Sequence, residues 1–321
     1  MSEFELIKQY FAERQSPVPH VPLGIGDDCA LLTVTSGAQI AISTDMLVED
    51  RHFFAGADAR MLGHKALAVN LSDLAAMGAE PRAFTLALAL PLAQVEWLHD
   101  FSAGLFDLAS QSGCQLIGGD TTKGPLNICI TIFGEMPAGL ALRRDHAQTG
   151  DDLWVSGTLG DARLALACYL NQRTISEDDL RQASIRLHKP TPRIALGLAL
   201  RSIAHAAIDV SDGLTGDLGH ILERSNKGAT IWCDALPFGI SLSKQDKTIQ
   251  YEYALTGGDD YELCFAAPRS RRQAVMRAAQ MADTMVTRIG FLESRPGLRF
   301  VDANDMPLKF SYQSFDHFQT S

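Results

Sequence analysis

Residues 58–77 read as one long helix, and the stretch AVNLSDLAAMGAEP at its end, residues 68–81, constrains the fold more than any other. It is rich in Ala and Leu and stops at Gly78 and Pro81, residue types that end helices. A helix this apolar has to be covered. The run AFTLALAL that follows reads as a strand, so helix and sheet are expected to cover each other. Two polar residues interrupt the pattern. Asn70 and Asp73 are three positions apart and share a face. A buried carboxylate without a partner is very costly, so solvation is a poor account of Asp73.

The rest of the first half extends this layout. MSEFELIKQYFAERQ has the pattern of a charged amphipathic helix and not of a signal peptide. QSPVPHVPLGIGDDCALLTV is a Pro- and Gly-punctuated loop expected to run into a strand. AQIAISTDML alternates as a strand, residues 93–111 are helical, and CQLIGGD and LNICITIFGEM are strands. The second half begins with the strand DLWVSGT. Helices follow near 161–171, 177–187 and 192–204, then the strand AAIDV, a helix at 213–225 and the strand ATIWCD. YELCFAAP, a helix near 270–281, TRIGFL and GLRFVD complete it. The expected fold is α/β (α+β), with two mixed-sheet domains over 1–137 and 138–321 and the boundary within 137–150. A length of 321 residues suits about two domains, each able to bury a core.

The net charge of −10 argues against a general nucleic-acid or membrane-surface binder. It does not argue against a phosphorylated ligand, because carboxylates hold Mg²⁺ and Mg²⁺ holds phosphate. None of the six Cys residues forms C-x-x-C and most lie in apolar runs, so they are expected as free thiols in a reducing cytoplasm. The longest apolar run, AFTLALALPLA, is far short of the roughly 20 residues that span a bilayer.

The acids gather at a few loops. GIGDDCALL places Asp27 and Asp28 after a Gly-rich turn, and ISTDML places Ser43, Thr44 and Asp45 at a strand end. IGGDTTKG puts Asp120 after Gly119, AIDVSDGL puts Asp209 and Asp212 around Ser211, and LTGGDDYEL puts Asp259 and Asp260 after a Gly pair. Strand ends of α/β sheets are where ligands bind. Gly pairs let backbone N–H groups approach phosphate, and hard oxygens are what Mg²⁺ prefers. Together the loops read as a multi-metal polyphosphate site. Singly, each has a plainer account. Asp212 before GLTGDLGHIL and Asp161 before ARLALA read as helix N-caps, and Asp151 and Asp152 as a turn. No P-loop, H-R-D or D-F-G set, Rossmann glycine fingerprint or zinc spacing occurs. Among nine dispersed His residues, His52 stands out because it follows the Asp45 strand.

The motifs GIGDDCALL, STDMLVEDRHF, KALAVNLSDLAAMGAEP, LIGGDTTKG, AIDVSDGL, GGDDYELCF and FDHF, in this order, resemble the bacterial thiamine-monophosphate kinases of the aminoimidazole-ribonucleotide synthetase-like superfamily. The likeness runs from about residue 20 to 318. It implies transfer of the γ-phosphoryl of ATP to thiamine monophosphate, dependence on several Mg²⁺ ions, and a homodimer built through the N-terminal domain. Metal ligation carries over to Asp28, Ser43, Thr44, Asp45, Asp73, Asp120, Asp209 and Asp212, with no dedicated catalytic base. ATP contacts carry over to Gly119, Asp120, Arg144 and Ser211, and thiamine-phosphate contacts to His52, Asp259 and Phe315. On this reading Asp73 faces the metals and Asn70 orients it or a water. Two positions depart from the family: G-G-E-D-Y-E has Asp259 here, and the aromatic before DHF is Phe315 and not Tyr. A synthetase that activates an amide, and a non-catalytic nucleotide- or metal-binding regulator, are the alternative readings of the same acids.

Overall fold

The computed structural model describes residues 3–14, 18–308 and 310. Chain contacts divide it into one unit of Met1–Leu74 and Ala79–Gly139, and a second of Ala75–Gly78 and Leu140–Ser321. The first contains α1 (Glu3–Ile7), continued by a π-turn over Lys8–Ala12, then β1 (Ala38–Val48), α2 (Ala59–Met77), β2 (Glu80–Leu90), α3 (Val95–Ser112), β3 (Gln115–Lys123) and β4 (Asn127–Pro137). The strands form one sheet in the order β1-β4-β2-β3. Only β2 and β3 run parallel.

The apolar helix explains this arrangement. Leu67, Ala68, Leu71, Leu74 and Ala75 of α2 are all buried. So are Ile128, Ile130 and Ile132 of β4 and Phe84, Leu86 and Leu88 of β2, which alternate along their strands and form the covered sheet face. Helices α2 and α3 approach so closely that a Cβ on Gly104 would sit 1.8 Å from the Arg60 carbonyl oxygen.

The opposite sheet face is only partly covered. The stretch expected to become a strand near CALLTV forms isolated bridges instead, Leu23 to Leu31 and Ile25 to Asp27. Its apolar residues are satisfied without a ladder: Val18, Val21, Ala30 and Leu32 pack against Ala83, Ile117 and Phe133. Further along that face Ile42 and Met46 remain exposed.

The second unit contains β5 (Asp152–Ser156), α4 (Asp161–Tyr169), α5 (Glu177–His188), α6 (Ile194–Leu200), β6 (Ala206–Val210), α7 (Leu214–Ser225), β7 (Gly228–Trp232), α8 (Lys247–Thr256), β8 (Glu262–Ala267), α9 (Arg272–Met281), β9 (Val286–Glu293), β10 (Gly297–Val301) and β11 (Pro307–Leu308). Its sheet runs β11-β10-β7-β9-β5-β8-β6. Every residue of β5, β6 and β8 is buried, which is why they read as mostly apolar runs, with Asp152, Ser156, Asp209 and Glu262 as the polar exceptions. Alternation along β8 sends Cys264 and Ala266 into one core and Leu263, Phe265 and Ala267 into the other. Helix α8 is missing from the sequence reading because KTIQYEYALT is rich in β-formers. Burial of Tyr253, Ala254 and Leu255 overrides that propensity.

Two plain readings of acids change here, and a third, that of Asp212, changes at the site below. Asp152 is not a turn residue. It is buried on β5 and accepts from Arg272 Nη2 at 2.8 Å and Arg288 Nη1 at 3.4 Å. Burial pulls its carboxyl up, but these two arginines outweigh it and hold the group below the usual carboxylate range. Asp161 begins α4 but does not cap it; its buried carboxylate accepts from the Leu242 amide at 2.8 Å. Asp151 does close a turn, accepting from the Gln148 amide at 2.9 Å.

Candidate functional site

In the first unit the candidate residues sit on β1 and α2. Alternation turns Ser43 and Asp45 toward the helix-covered face and Thr44 to the open one. Ser43 Oγ donates to Asp73 Oδ2. This is the partner that the half-buried Asp73 carboxylate required. Asn70 is fully buried, and its Oδ1 accepts from the Asp45 amide at 3.2 Å while Nδ2 donates to the Ala66 carbonyl at 3.0 Å. It therefore fixes the β1 backbone at Asp45, and among the described residues its two bonds go to backbone and not to Asp73. On the open face the hydroxyls of Thr44 and Thr131 lie 2.9 Å apart across the strands.

Asp120 is on β3, with two strands between it and β1. Register places Asp120 opposite Ala87, Ala87 opposite Cys129, and Cys129 opposite Met46. It thus shares the open face with Thr44 and lies roughly 14 Å from β1 at ordinary strand spacing. Gly119 beside it has φ +147°, and a Cβ there would meet the Leu86 carbonyl oxygen at 1.8 Å, so only glycine fits. Asp28 lies exposed in its loop, where its amide donates to Asp27 Oδ1 at 2.8 Å. His52 accepts from the Val48 amide through Nδ1 at 3.0 Å, which leaves Nε2 to carry the proton of the neutral ring.

In the second unit two loops stand at the same end of adjacent strands. Asp209 is the penultimate residue of β6 and is buried, Ser211 is half-buried and Asp212 is exposed. Asp212 does not cap α7; that position is Gly213. The acid that serves the loop is Asp217, in the first turn of α7. It accepts from the amides of Ser211 at 3.0 Å and Asp212 at 3.1 Å. Burial, and then the charge of Asp212, push its carboxyl up to about 7. The second loop carries Asp259 and Tyr261 in left-handed backbone, φ +66° and +50°. The Asp259 amide donates to the Ser211 carbonyl and the Tyr261 amide to the Val210 carbonyl, both at 2.8 Å. Asp260 is fully buried, accepts from the Gly160 amide at 2.9 Å, and is driven well above the usual carboxylate range by burial.

Four supporting residues escaped the sequence reading: Asp217, Glu262, Arg186 and Arg193. Glu262 is fully buried on β8 and accepts from Ser156 Oγ at 2.6 Å, Arg186 Nη2 at 2.7 Å and Arg193 Nη2 at 2.6 Å. The one signal was a glutamate inside the apolar run YELCFAA. Arg144 lies exposed in a 3₁₀ turn whose carbonyl accepts from Ser225 Oγ at 2.8 Å. Phe315 lies outside the described residues.

Among the described residues no three His, Cys, Asp or Glu side chains gather so as to hold a metal ion unaided. The donor chemistry nonetheless fits Mg²⁺, which keeps several waters and is held through one or two carboxylates together with substrate phosphates. Ser43 with Asp73 is a hard-oxygen set of that kind, and Asp209 and Asp212 offer two further carboxylates within one short stretch of chain. All six cysteines are free, Cys29 exposed and Cys114, Cys233 and Cys264 buried.

Residues 26–136 match the family model of the AIR synthase related protein N-terminal domain, and residues 148–303 that of its C-terminal domain. The chain is 47% identical to thiamine-monophosphate kinase of Salmonella typhimurium, over 99% of this chain and 98% of the relative. It is similar to the crystal structure of thiamine-monophosphate kinase from Stenotrophomonas maltophilia, with TM-score 0.87 and 46% identity over 94% of this chain and 96% of the other. It is also similar to AaThiL complexed with AMPPCP and TMP, with TM-score 0.78 and 28% identity over 98% and 97% of the two chains.

Proposed function

This chain belongs to the AIR synthase related proteins and, among them, to the thiamine-monophosphate kinases, and from that premise we propose how its residues carry the reaction. It is an ATP-dependent kinase that phosphorylates thiamine monophosphate to thiamine diphosphate. The acceptor is a phosphate monoester with a second pKa of about 6, so its attacking oxygen is already anionic near neutral pH. No side chain has to remove a proton. The difficulty is the approach of two polyanions.

Asp28, Ser43, Thr44, Asp45, Asp73 and Asp120 of the first unit, and Asp209 and Asp212 of the second, would serve as magnesium ligands. The ions would screen phosphate charge and stabilise a loose in-line transition state. Ser43 orients Asp73 by its hydrogen bond, and Asn70 holds the backbone at Asp45. Gly119, Asp120, Arg144 and Ser211 contact ATP; His52, Asp259 and Phe315 contact thiamine monophosphate. Arg144 is suited to pair with a phosphate in two-pronged fashion. The observation that best supports this assignment is the 2.8 Å bond from the Asp259 amide to the Ser211 carbonyl. It joins the residue we assign to the acceptor to the residue we assign to the nucleotide.

The exposed Ile42 and Met46 support a homodimer built on the open face of the first unit's sheet. The free thiols support a cytoplasmic setting. Among the described residues no helix is long and apolar enough to cross a membrane. The test is product analysis after incubation with ATP and Mg²⁺ plus either thiamine monophosphate or formylglycinamidine ribonucleotide. One ADP released per thiamine diphosphate formed is expected. ADP release with the amide alone would make this a synthetase, and release with neither acceptor a binding protein.

A further inference from the structure

Arg186 is assigned no part in the reaction above, yet it grips the acceptor loop. Its Nη2 donates to the backbone carbonyl of Asp260 at 2.9 Å and to Glu262 Oε1 at 2.7 Å. Its Nε is buried and makes no hydrogen bond, so among the described residues this guanidinium bonds only that loop and strand. The Asp260 carbonyl lies between Asp259 and Tyr261, both held at positive φ. Left-handed backbone at a non-glycine residue costs energy and persists only where the surroundings impose it. Three bonds impose it here. The Asp259 amide is tied to Ser211, the Tyr261 amide to Val210, and the intervening carbonyl to Arg186.

Arg193 is the natural comparison. It donates Nε and Nη2 to Glu262, each at 2.6 Å, and no bond from it to the loop backbone is seen among the described residues. Both arginines neutralise the same buried carboxylate. Only Arg186 reaches the peptide that follows Asp259.

We infer that Arg186 is a positioning residue for the phosphate acceptor: by pinning the Asp260 carbonyl it fixes Asp259 against Ser211, and so sets the acceptor against the nucleotide. This rests on the kinase reading and on the assignment of Asp259 to thiamine monophosphate. When the acceptor is misplaced, water competes for the γ-phosphoryl group. Its oxygen then forms the new P–O bond as the bond to ADP breaks, giving ADP and inorganic phosphate with loss of a proton.

The test compares Arg186→Gln with Arg193→Gln in the full-length protein, each beside wild type. It measures KM for thiamine monophosphate and for ATP, ADP released per thiamine diphosphate formed, and the unfolding temperature. For Arg186→Gln we expect KM for thiamine monophosphate to rise about tenfold, the value of one lost hydrogen-bonded contact, with KM for ATP within twofold and more than one ADP per product. For Arg193→Gln we expect a lowered unfolding temperature with one ADP per product. Should Arg186→Gln fail to fold, Arg186→Lys carries the same test, because it keeps the charge and loses the guanidinium geometry. A folded Arg186 variant with unchanged KM for thiamine monophosphate and one ADP per product overturns the inference. So does equal uncoupling in both arginine variants. Failure of the wild type to make thiamine diphosphate is a different result, and removes the kinase reading itself.

Discussion

The two units hold their candidate residues by different means. In the first, a hydroxyl meets Asp73 and a carboxamide meets the Asp45 backbone, so neutral groups do the orienting. In the second, the Ser211 loop rests on the buried carboxyl of Asp217, whose pKa is pushed up to about 7, and the Asp259 loop on the charged Glu262, Arg186 and Arg193. Neutral hydrogen bonds each contribute about 1 kcal/mol net. Breaking a buried ion pair costs several times more, because it strands a charge. The first unit should therefore respond weakly to pH and locally to mutation, whereas the second should respond strongly and as a whole.

The largest expected effect addresses what the units share. Chelating Mg²⁺ should lower thiamine diphosphate formation by at least roughly a thousandfold, with recovery on re-addition, because both oxygen sets are assigned to the metal. Turnover that persists after chelation would leave the acids of both units with structural roles alone.

Next, Asp152→Asn should destabilise the second unit by somewhat more than about 2 kcal/mol at pH 7, since it weakens the charge-assisted hydrogen bonds from Arg272 and Arg288, which stay partly solvated. The sign with pH follows from the depressed carboxyl. Its contribution is complete above the usual carboxylate value and is lost as pH falls through the lower folded value. The gap between wild type and variant in denaturant unfolding should shrink steadily below about pH 4. A gap that stays constant would show that packing and not charge holds this region.

The smallest effect belongs to the first unit. Asn70→Ala should cost about 2 kcal/mol by removing two hydrogen bonds of a fully buried carboxamide. That loss should be the same from pH 5 to 8, since neither partner titrates. A pH-dependent loss would erase the contrast between the units.

The sequence made the framework legible because its signals are local. Helix α2 showed in its apolar run and its Gly78 stop, and β1 in its alternation. The acids at strand ends were visible for the same reason. What holds them was not. Arg186 and Glu262 are 76 residues apart, and Ser43 and Asp73 are 30 apart. No periodicity connects such pairs; only the fold does. Capping was misread for a related reason. Asp212 and Asp161 stand beside helix starts, but Gly213 and Gly160 occupy the cap positions, and the two carboxylates do other work or face solvent.

The measurement that bears most directly on the account is turnover of Asp73→Asn, taken with its unfolding curve. Asparagine keeps the shape of the side chain that Ser43 meets and removes the charge a metal needs. Thiamine diphosphate formation should fall by roughly a hundredfold or more, about 3 kcal/mol in the barrier, while the unfolding midpoint stays within a few degrees. A folded variant that turns over like the wild type would contradict the claim that this carboxylate serves magnesium.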